Sequence, residues 1–219
     1  MEENSGDRSY EGILLETQYF PSLEYFVLLK QYPHLVLQDN ENFQKQSYRN
    51  RCYIMGPNKV QLLSVPVSRS TKRANIRDVT INYQEKWHLE HLQTLRTAYG
   101  KAPYFEYYFE YFEEILQKQH RYLWDLNEEI LTLCRSLINF DIKISDSQDC
   151  PINLKSVDKR FYGQINRKTS FLDRNIYREV GYQQLFGSNF VPNLSIIDLL
   201  FCEGPNAMSI IGQSTKPCF

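Results

Sequence analysis

The sequence predicts an α/β fold: a Rossmann-like sheet, an inserted run of three helices and a short C-terminal helical lobe. Short apolar, strand-like runs alternate with helical patterns, as in sheets covered by helices. The first run, Ile13-Leu14-Leu15, leads through Pro21 into a helical period, a strand–turn–helix opening. Three consecutive stretches between 85 and 138 keep an amphipathic 3.6-residue period. An α+β arrangement is the alternative. Domains usually run to about 100–200 residues and α/β units somewhat longer, so the 219 residues fit one domain. Within it, 1–11 read as a disordered tail, 12–144 as an α/β core carrying helices 85–138, and 145–219 as a lobe packed on that core.

Taken in order, 12–20 hold the first strand. Pro21 suits a first helical turn, where its missing donor costs little. Leu23, Phe26, Val27 and Lys30 follow at helical spacing, and Pro33 closes the segment. A second short strand is expected at 34–38. Residues 39–51 are polar and lack an apolar period. Strands at 52–55 and 60–67 flank Gly56-Pro57-Asn58, a turn signal. Another short strand is expected at 79–83. The first helix, 85–99, places Trp87, His91, Leu95 and Ala98 on one stripe, and Gly100 fits its end. The second starts near Pro103 with Phe105, Phe109, Phe112 and Leu116; the third spans 122–138 with Leu123, Leu126, Ile130, Leu133 and Leu137. A strand is expected at 140–144. Beyond it 145–190 are polar and aperiodic, with Arg160, Arg167, Arg174 and Arg178. A short helix at 193–201 can be capped by Ser195 and is stopped by Gly204-Pro205.

Composition excludes several functions. Lys and Arg number 25 against 26 Asp and Glu. Nucleic-acid binders usually carry a basic excess, because neutralising phosphate supplies most of their affinity; no nucleic-acid partner is expected. No run approaches about 18 apolar residues, so no membrane span is expected. Residues 1–11 lack the apolar core of an export signal. Cys52, Cys134, Cys150, Cys202 and Cys218 are odd in number, widely spaced and form no CxxC pair, which argues against zinc-ribbon or thioredoxin-like sites. These features predict a cytoplasmic protein with free thiols. The 16 Tyr and 13 Phe read most plainly as core filling, and more sharply as a cleft that stacks on sugars or bases.

GxGxxG, GxxxxGK(S/T), GxSxG and HExxH are all missing. That argues against a standard dinucleotide enzyme, a P-loop ATPase, a serine hydrolase or a zinc protease. No cofactor is identified.

The candidate site residues cluster. Lys45-Gln46-Ser47-Tyr48-Arg49-Asn50-Arg51 is basic in a neutral chain. Lys45, Arg49 and Arg51 can form an anion clamp, with Tyr48 and Asn50 as neutral donors; the plain alternative is a solvated loop. Tyr19 and Tyr25 flank the elbow at the carboxyl end of the first strand, where open α/β sheets bind ligands. Asp39 and Glu41 border the basic run and can hold it in shape or bind amino groups; the plain alternative is ion pairing within the loop. His91 faces inward and is the candidate general base. His88, three residues before it, is a weak metal partner because no further ligand pair accompanies it, so no metal site is expected. Asp198, inside an apolar helix, needs a partner if buried; an Arg of 160–178 is the expected one. Tyr182 and Gln184 are placed against the cleft. Cys52, near Arg49 and Arg51, reads as a buried strand residue rather than a nucleophile.

Several stretches together resemble the WbqC-like protein family. They are Tyr19-Phe20-Pro21-Ser22-Leu23-Glu24-Tyr25-Phe26, the run Lys45 to Arg51, Ser64-Val65-Pro66-Val67, Trp87 with His91, Leu92 and Tyr99, and Leu194 to Phe201 with Gly204. The resemblance runs from about 13 to 212, and its Asn-Arg-Cys and Gly-Pro-Asn-Ala details look like the Bacteroidota branch. Many members have Gly where this chain has Glu24, and 145–180 look shorter and different. The resemblance implies bacterial surface-polysaccharide (O-antigen-like) biosynthesis and carries over no catalytic residue.

The combined expectation is a transferase acting on a nucleotide-activated (amino) sugar, with a nucleotide sugar or activated acyl donor as small-molecule partner. His91 and Asp39 are its catalytic candidates. Tyr19, Tyr25, Lys45, Tyr48, Arg49, Asn50, Arg51, Tyr182 and Gln184 are its substrate-binding candidates. A homodimer is compatible with the sequence. The alternative is a non-catalytic binding or scaffold protein of a polysaccharide assembly complex.

Overall fold

The computed structural model describes residues 10–71 and 73–216. Four strands, β1 (Gly12–Leu15), β2 (His34–Leu37), β5 (Lys143–Asp146) and β6 (Val157–Asp158), form one sheet in the order β5-β2-β1-β6. All its pairings are parallel, with Ile13 opposite Leu35, His34 opposite Lys143 and Gly12 opposite Val157. Ranked along the chain within this sheet, the spatial order is 3-2-1-4, the opening of the Rossmann arrangement. The chain crosses from one side of β1 to the other between β5 and β6, so the switch point lies between β1 and β6.

A parallel sheet needs both faces covered. Ile13, Leu15, Leu35 and Leu37 join the main core under the helices. On the other face Leu14, Val36 and Val157 are covered by Cys150, Ile152 and Tyr162, side chains of an irregular segment rather than of a helix. Gly12 sits close under this cover. A Cβ there would lie 2.9 Å from both the His34 carbonyl oxygen and Ile152 Cδ1.

A separate antiparallel hairpin, β3 (Arg51–Met55) and β4 (Val60–Ser64), turns through Gly56 to Lys59, whose carbonyl accepts from Gly56 N–H at 3.1 Å. Helix α1 (Leu23–Leu29) is buried at all seven positions. Helices α2 (Trp87–Tyr99), α3 (Phe105–Gln117) and α4 (Leu123–Leu137) follow as their periodicity predicts. Helix α5 (Ile196–Glu203) is capped by Ser195, which accepts from Ile197 N–H.

Several boundaries differ. The strand expected at 140–144 begins at Lys143, because Asn139 takes a left-handed conformation and Phe140 N–H still closes α4 on the Arg135 carbonyl. At 79–83 there are only isolated bridges, Thr80 to Tyr122 and Ile81 to Val67. β4 stops at Ser64 rather than 67. β6 and α6 (Ala207–Ser214) were not expected: two residues are too few to show a strand period, and Gly204-Pro205 reads as an end.

The division at 144/145 falls inside β5, and β6 pairs with β1. The 145–219 stretch therefore adds β6 to the core sheet, while its helices at 196–203 and 207–214 pack against α1 and α3. Of the expected tail, residues 1–9 lie outside the described residues. Tyr10 packs against the core, and Glu11 N–H donates to the Ser156 carbonyl at 2.9 Å.

Gly12→Ala is expected to cost about 1–3 kcal/mol, because the new methyl meets backbone on one side. Chemical denaturation compared with wild type checks it, and a loss under about 0.5 kcal/mol, the range of an ordinary surface substitution, contradicts the close approach.

Candidate functional site

Beyond β1 the chain stays buried while turning polar: Glu16, Thr17 and Gln18 are each at most 2 % exposed. Phe20 adopts a left-handed conformation (φ 43°) at the elbow that starts α1. The first turn of α1 is where a Rossmann sheet usually presents free N–H groups to phosphate. Here they are taken by protein. Leu23 N–H donates to the Leu194 carbonyl at 2.8 Å, and Glu24 N–H to Asn193 Oδ1 at 3.0 Å. This agrees with the missing glycine fingerprint.

The cleft lies beside this position. A hollow of about 250 Å³ is walled by the Lys45–Arg51 run, by Tyr53 of β3 and by Gly163 to Lys168. Gly163 N–H donates to Glu16 Oε2 at 2.9 Å, and Tyr19 N–H to the Tyr48 carbonyl at 2.8 Å. These bonds fix both walls to the carboxyl end of β1, at the switch point. Lys45, Arg51, Arg167 and Lys168 line the hollow, and among the described residues none of the four is ion-paired. The Arg51 Nε is buried without a partner. The Arg167 guanidinium lies 4.2 Å from the Tyr53 ring centroid, a cation–π contact. Among the described residues no His, Cys, Asp or Glu lines the hollow.

Arg49 borders the same hollow but is engaged elsewhere. Its Nε and Nη2 donate to the two oxygens of Glu41, each at 2.6 Å, and the pair is nearly solvent-free. Burial opposes the Arg49 charge, but the bonds to Glu41 and the charges of Glu16 and Glu41 hold its pKa above the ordinary value. Tyr162 also donates to Glu41 Oε2. Burial raises the Glu16 carboxyl above its usual range, against the pull of Arg49.

The other expected site residues separate into distinct places. Tyr48 lines the cleft. Asn50 is next to it but donates to the Val65 carbonyl at 2.9 Å. Tyr25 is fully buried, its hydroxyl on the Glu16 carbonyl at 3.2 Å. Asp39 follows β2 and accepts from Ser147 Oγ at 2.5 Å, with Arg77 at 3.6 Å. His91 is 6 % exposed; its Nδ1 pairs with the Tyr19 hydroxyl at 2.9 Å, and its ring lies 5.0 Å from that of Trp87. Neither Asp39 nor His91 reaches the cleft wall. Burial, with His88 nearby, lowers the His91 pKa to about 4. Among the described residues no cluster of three or more His, Cys, Asp or Glu could hold a metal.

The expected Arg partner of Asp198 is corrected. Asp198 is fully buried and accepts from Tyr99 at 2.7 Å, Tyr182 at 2.6 Å and Gln184 at 2.9 Å. The arginine Arg174 instead grips Glu24 with two bonds of 2.6 Å. Tyr182 and Gln184 thus act on Asp198, and Gln184 also bonds both backbone groups of Val191. Sequence reasoning missed Glu16, Tyr53, Gly163, Arg167 and Lys168. The adjacent Arg167-Lys168 pair was the one local signal.

The chain matches the WbqC-like protein family over residues 17–167 and 154–210. It belongs to that family. The two matched pieces overlap at 154–167, inside the region where the resemblance departs. The chain is also similar to the uncharacterized protein Rv1507c of Mycobacterium tuberculosis, 26 % identical over 221 residues, covering 89 % of this chain and 94 % of that protein. No solved structure matches. No helix among the described residues is long and apolar enough to cross a membrane.

Two outcomes follow from the buried groups. His91 has a folded pKa of about 4 against 6.5 ordinarily, so only the unfolded chain takes up its proton between those values. The stability it contributes is present above pH 6.5 and is lost as pH falls toward 4. The full loss is about 3 kcal/mol. His91→Gln should flatten the pH dependence of urea denaturation in that window; an unchanged slope contradicts it. Asp198→Ala strands three buried donors and should cost at least about 3 kcal/mol, measured by the same denaturation at pH 7. A loss below about 1 kcal/mol would count against the network.

Proposed function

We propose that this WbqC-like protein is a transferase of bacterial surface-polysaccharide biosynthesis acting on a nucleotide-activated amino sugar. The observation that carries this reading is the cleft: four unpaired cations at the carboxyl end of a parallel sheet, in a chain with net charge −1. Arg and Lys in one partly enclosed hollow suit phosphate, Arg through its planar fork and Lys as a point charge. The occupied N-terminus of α1 argues that any nucleotide is held by these side chains and not by a glycine-rich turn. His91 and Asp39 stand away from the cleft, so the proposal does not rest on them.

A second reading, a non-catalytic binding protein of a polysaccharide assembly complex, is favoured by one observation. Among the described residues the cleft lining holds no imidazole, thiol or carboxylate to move a proton.

The test is thermal shift against nucleoside diphosphates, nucleotide sugars, ATP and coenzyme A, with and without magnesium. A ligand at about 100 times its dissociation constant adds about 2.7 kcal/mol. That shift should disappear in Arg51→Ala and Arg167→Ala, which break no ion pair. Arg49→Ala should lower the melting temperature of the free protein instead, because it leaves Glu41 buried and unpaired. No shift with any ligand removes the nucleotide-sugar reading. Binding without turnover of nucleotide sugar leaves the binding-protein reading.

A further inference from the structure

A second hollow of about 220 Å³ adjoins the first and shares Tyr48, Asn166 and Arg167 with it. We infer that it is a subsite for an uncharged, hydroxyl-bearing saturated ring, so that the ligand is bipartite, with phosphate in the first hollow and the ring in the second. The inference rests on the reading of the first hollow as an anion site.

The two hollows differ in charge. Arg174 is the one cation of the second that the first lacks, and it is neutralised. Its side chain is 9 % exposed and bound to the fully buried Glu24 carboxylate. The Asn193 amide is engaged too: its oxygen accepts from Glu24 N–H and its nitrogen donates to Glu24 Oε2. What remains is Arg167 at the junction, plus hydroxyls and apolar surface. A second anion would find no further unpaired cation here.

The available polar groups are hydroxyls. Tyr48 is 6 % exposed, lines both hollows, and its hydroxyl has no hydrogen-bond partner among the described residues. Ser170 Oγ accepts from Leu172 N–H and keeps its own proton to donate. Phe171 and Pro192 supply the apolar wall. A saturated sugar ring has this dual character, with C–H groups on its faces and hydroxyls at its rim. An aromatic side chain covers the first and hydroxyls pair with the second.

Glu24 gives the arrangement a cause in the sequence. Through Arg174 it holds the carbonyls of Asn166 and Thr169, hence the loop that carries Arg167, Ser170 and Phe171. A glycine at position 24 has no carboxylate with which to do this.

The experiment is calorimetric titration with inorganic phosphate, a hexose 1-phosphate, an N-acetylhexosamine 1-phosphate and adenosine 5′-monophosphate. Either sugar phosphate should bind at least about tenfold more tightly than phosphate. Phe171→Ala, at a residue that lines the second hollow and not the first, should reduce that gain while leaving phosphate affinity unchanged, and Tyr48→Phe should reduce it too. Arg51→Ala should weaken all four probes, and melting curves confirm that each variant is folded. Phosphate binding with no gain for either sugar phosphate overturns the subsite alone. A gain shown only by adenosine 5′-monophosphate also overturns it, in favour of a planar base. Failure of phosphate itself to bind overturns the anion reading and the subsite with it.

Discussion

The cleft depends on the buried pair between Glu41 and Arg49. Two charges removed from water stay together only if each satisfies the other, and removing one partner typically costs about 3–5 kcal/mol. Here the geometry is bidentate, and the surroundings extend it. Asn127 of α4 donates to the Arg49 carbonyl at 2.8 Å, and Tyr162 from the far wall donates to Glu41. One ion pair thus joins the polar loop after β2, a helix of the inserted run and the segment after β6. It also sorts the charges of the basic run. Arg49 becomes framework, and its neighbours Lys45 and Arg51 keep their charge for the cleft.

The same sorting explains what the sequence could and could not reveal. The basic run stands out in a neutral chain, so the location of the cleft was legible. Which arginine serves structure was not, because a carboxylate eight residues away looks the same as any loop charge. The opposite wall was harder. Arg167 and Lys168 lie in an aperiodic stretch more than a hundred residues from the run, brought across by the β1–β6 pairing and by bonds such as Gly163 to Glu16 and Tyr162 to Glu41. His91 shows a related gap. Its inward-facing position on α2 was read correctly, but facing inward meant Trp87 and Tyr19 rather than a substrate.

The fold shows the same division. Helices of 13 to 15 residues declare themselves by period, and α2, α3 and α4 fell where expected. A two-residue strand such as β6 cannot, yet it decides the topology by placing its segment on the far side of β1. Asp198 lies between these cases. Burial of a carboxylate within an apolar helix correctly implied partners. Their chemistry turned out to be three neutral donors rather than a guanidinium, a choice set by tertiary position alone.

The occupied start of α1 has a consequence for how the chain folds. The donors of the first helix are satisfied by Asn193 and Leu194, about 170 residues further on, and the Pro21 carbonyl receives Ile196 N–H. During synthesis the β1–α1 unit therefore emerges with its turn unsealed until Asn193 and Leu194 follow. Contacts of such long sequence separation delay the rewarding step of folding. The elbow that a nucleotide would close in other Rossmann sheets is closed here by the 193–196 segment, so α1 cannot be finished until that segment is made.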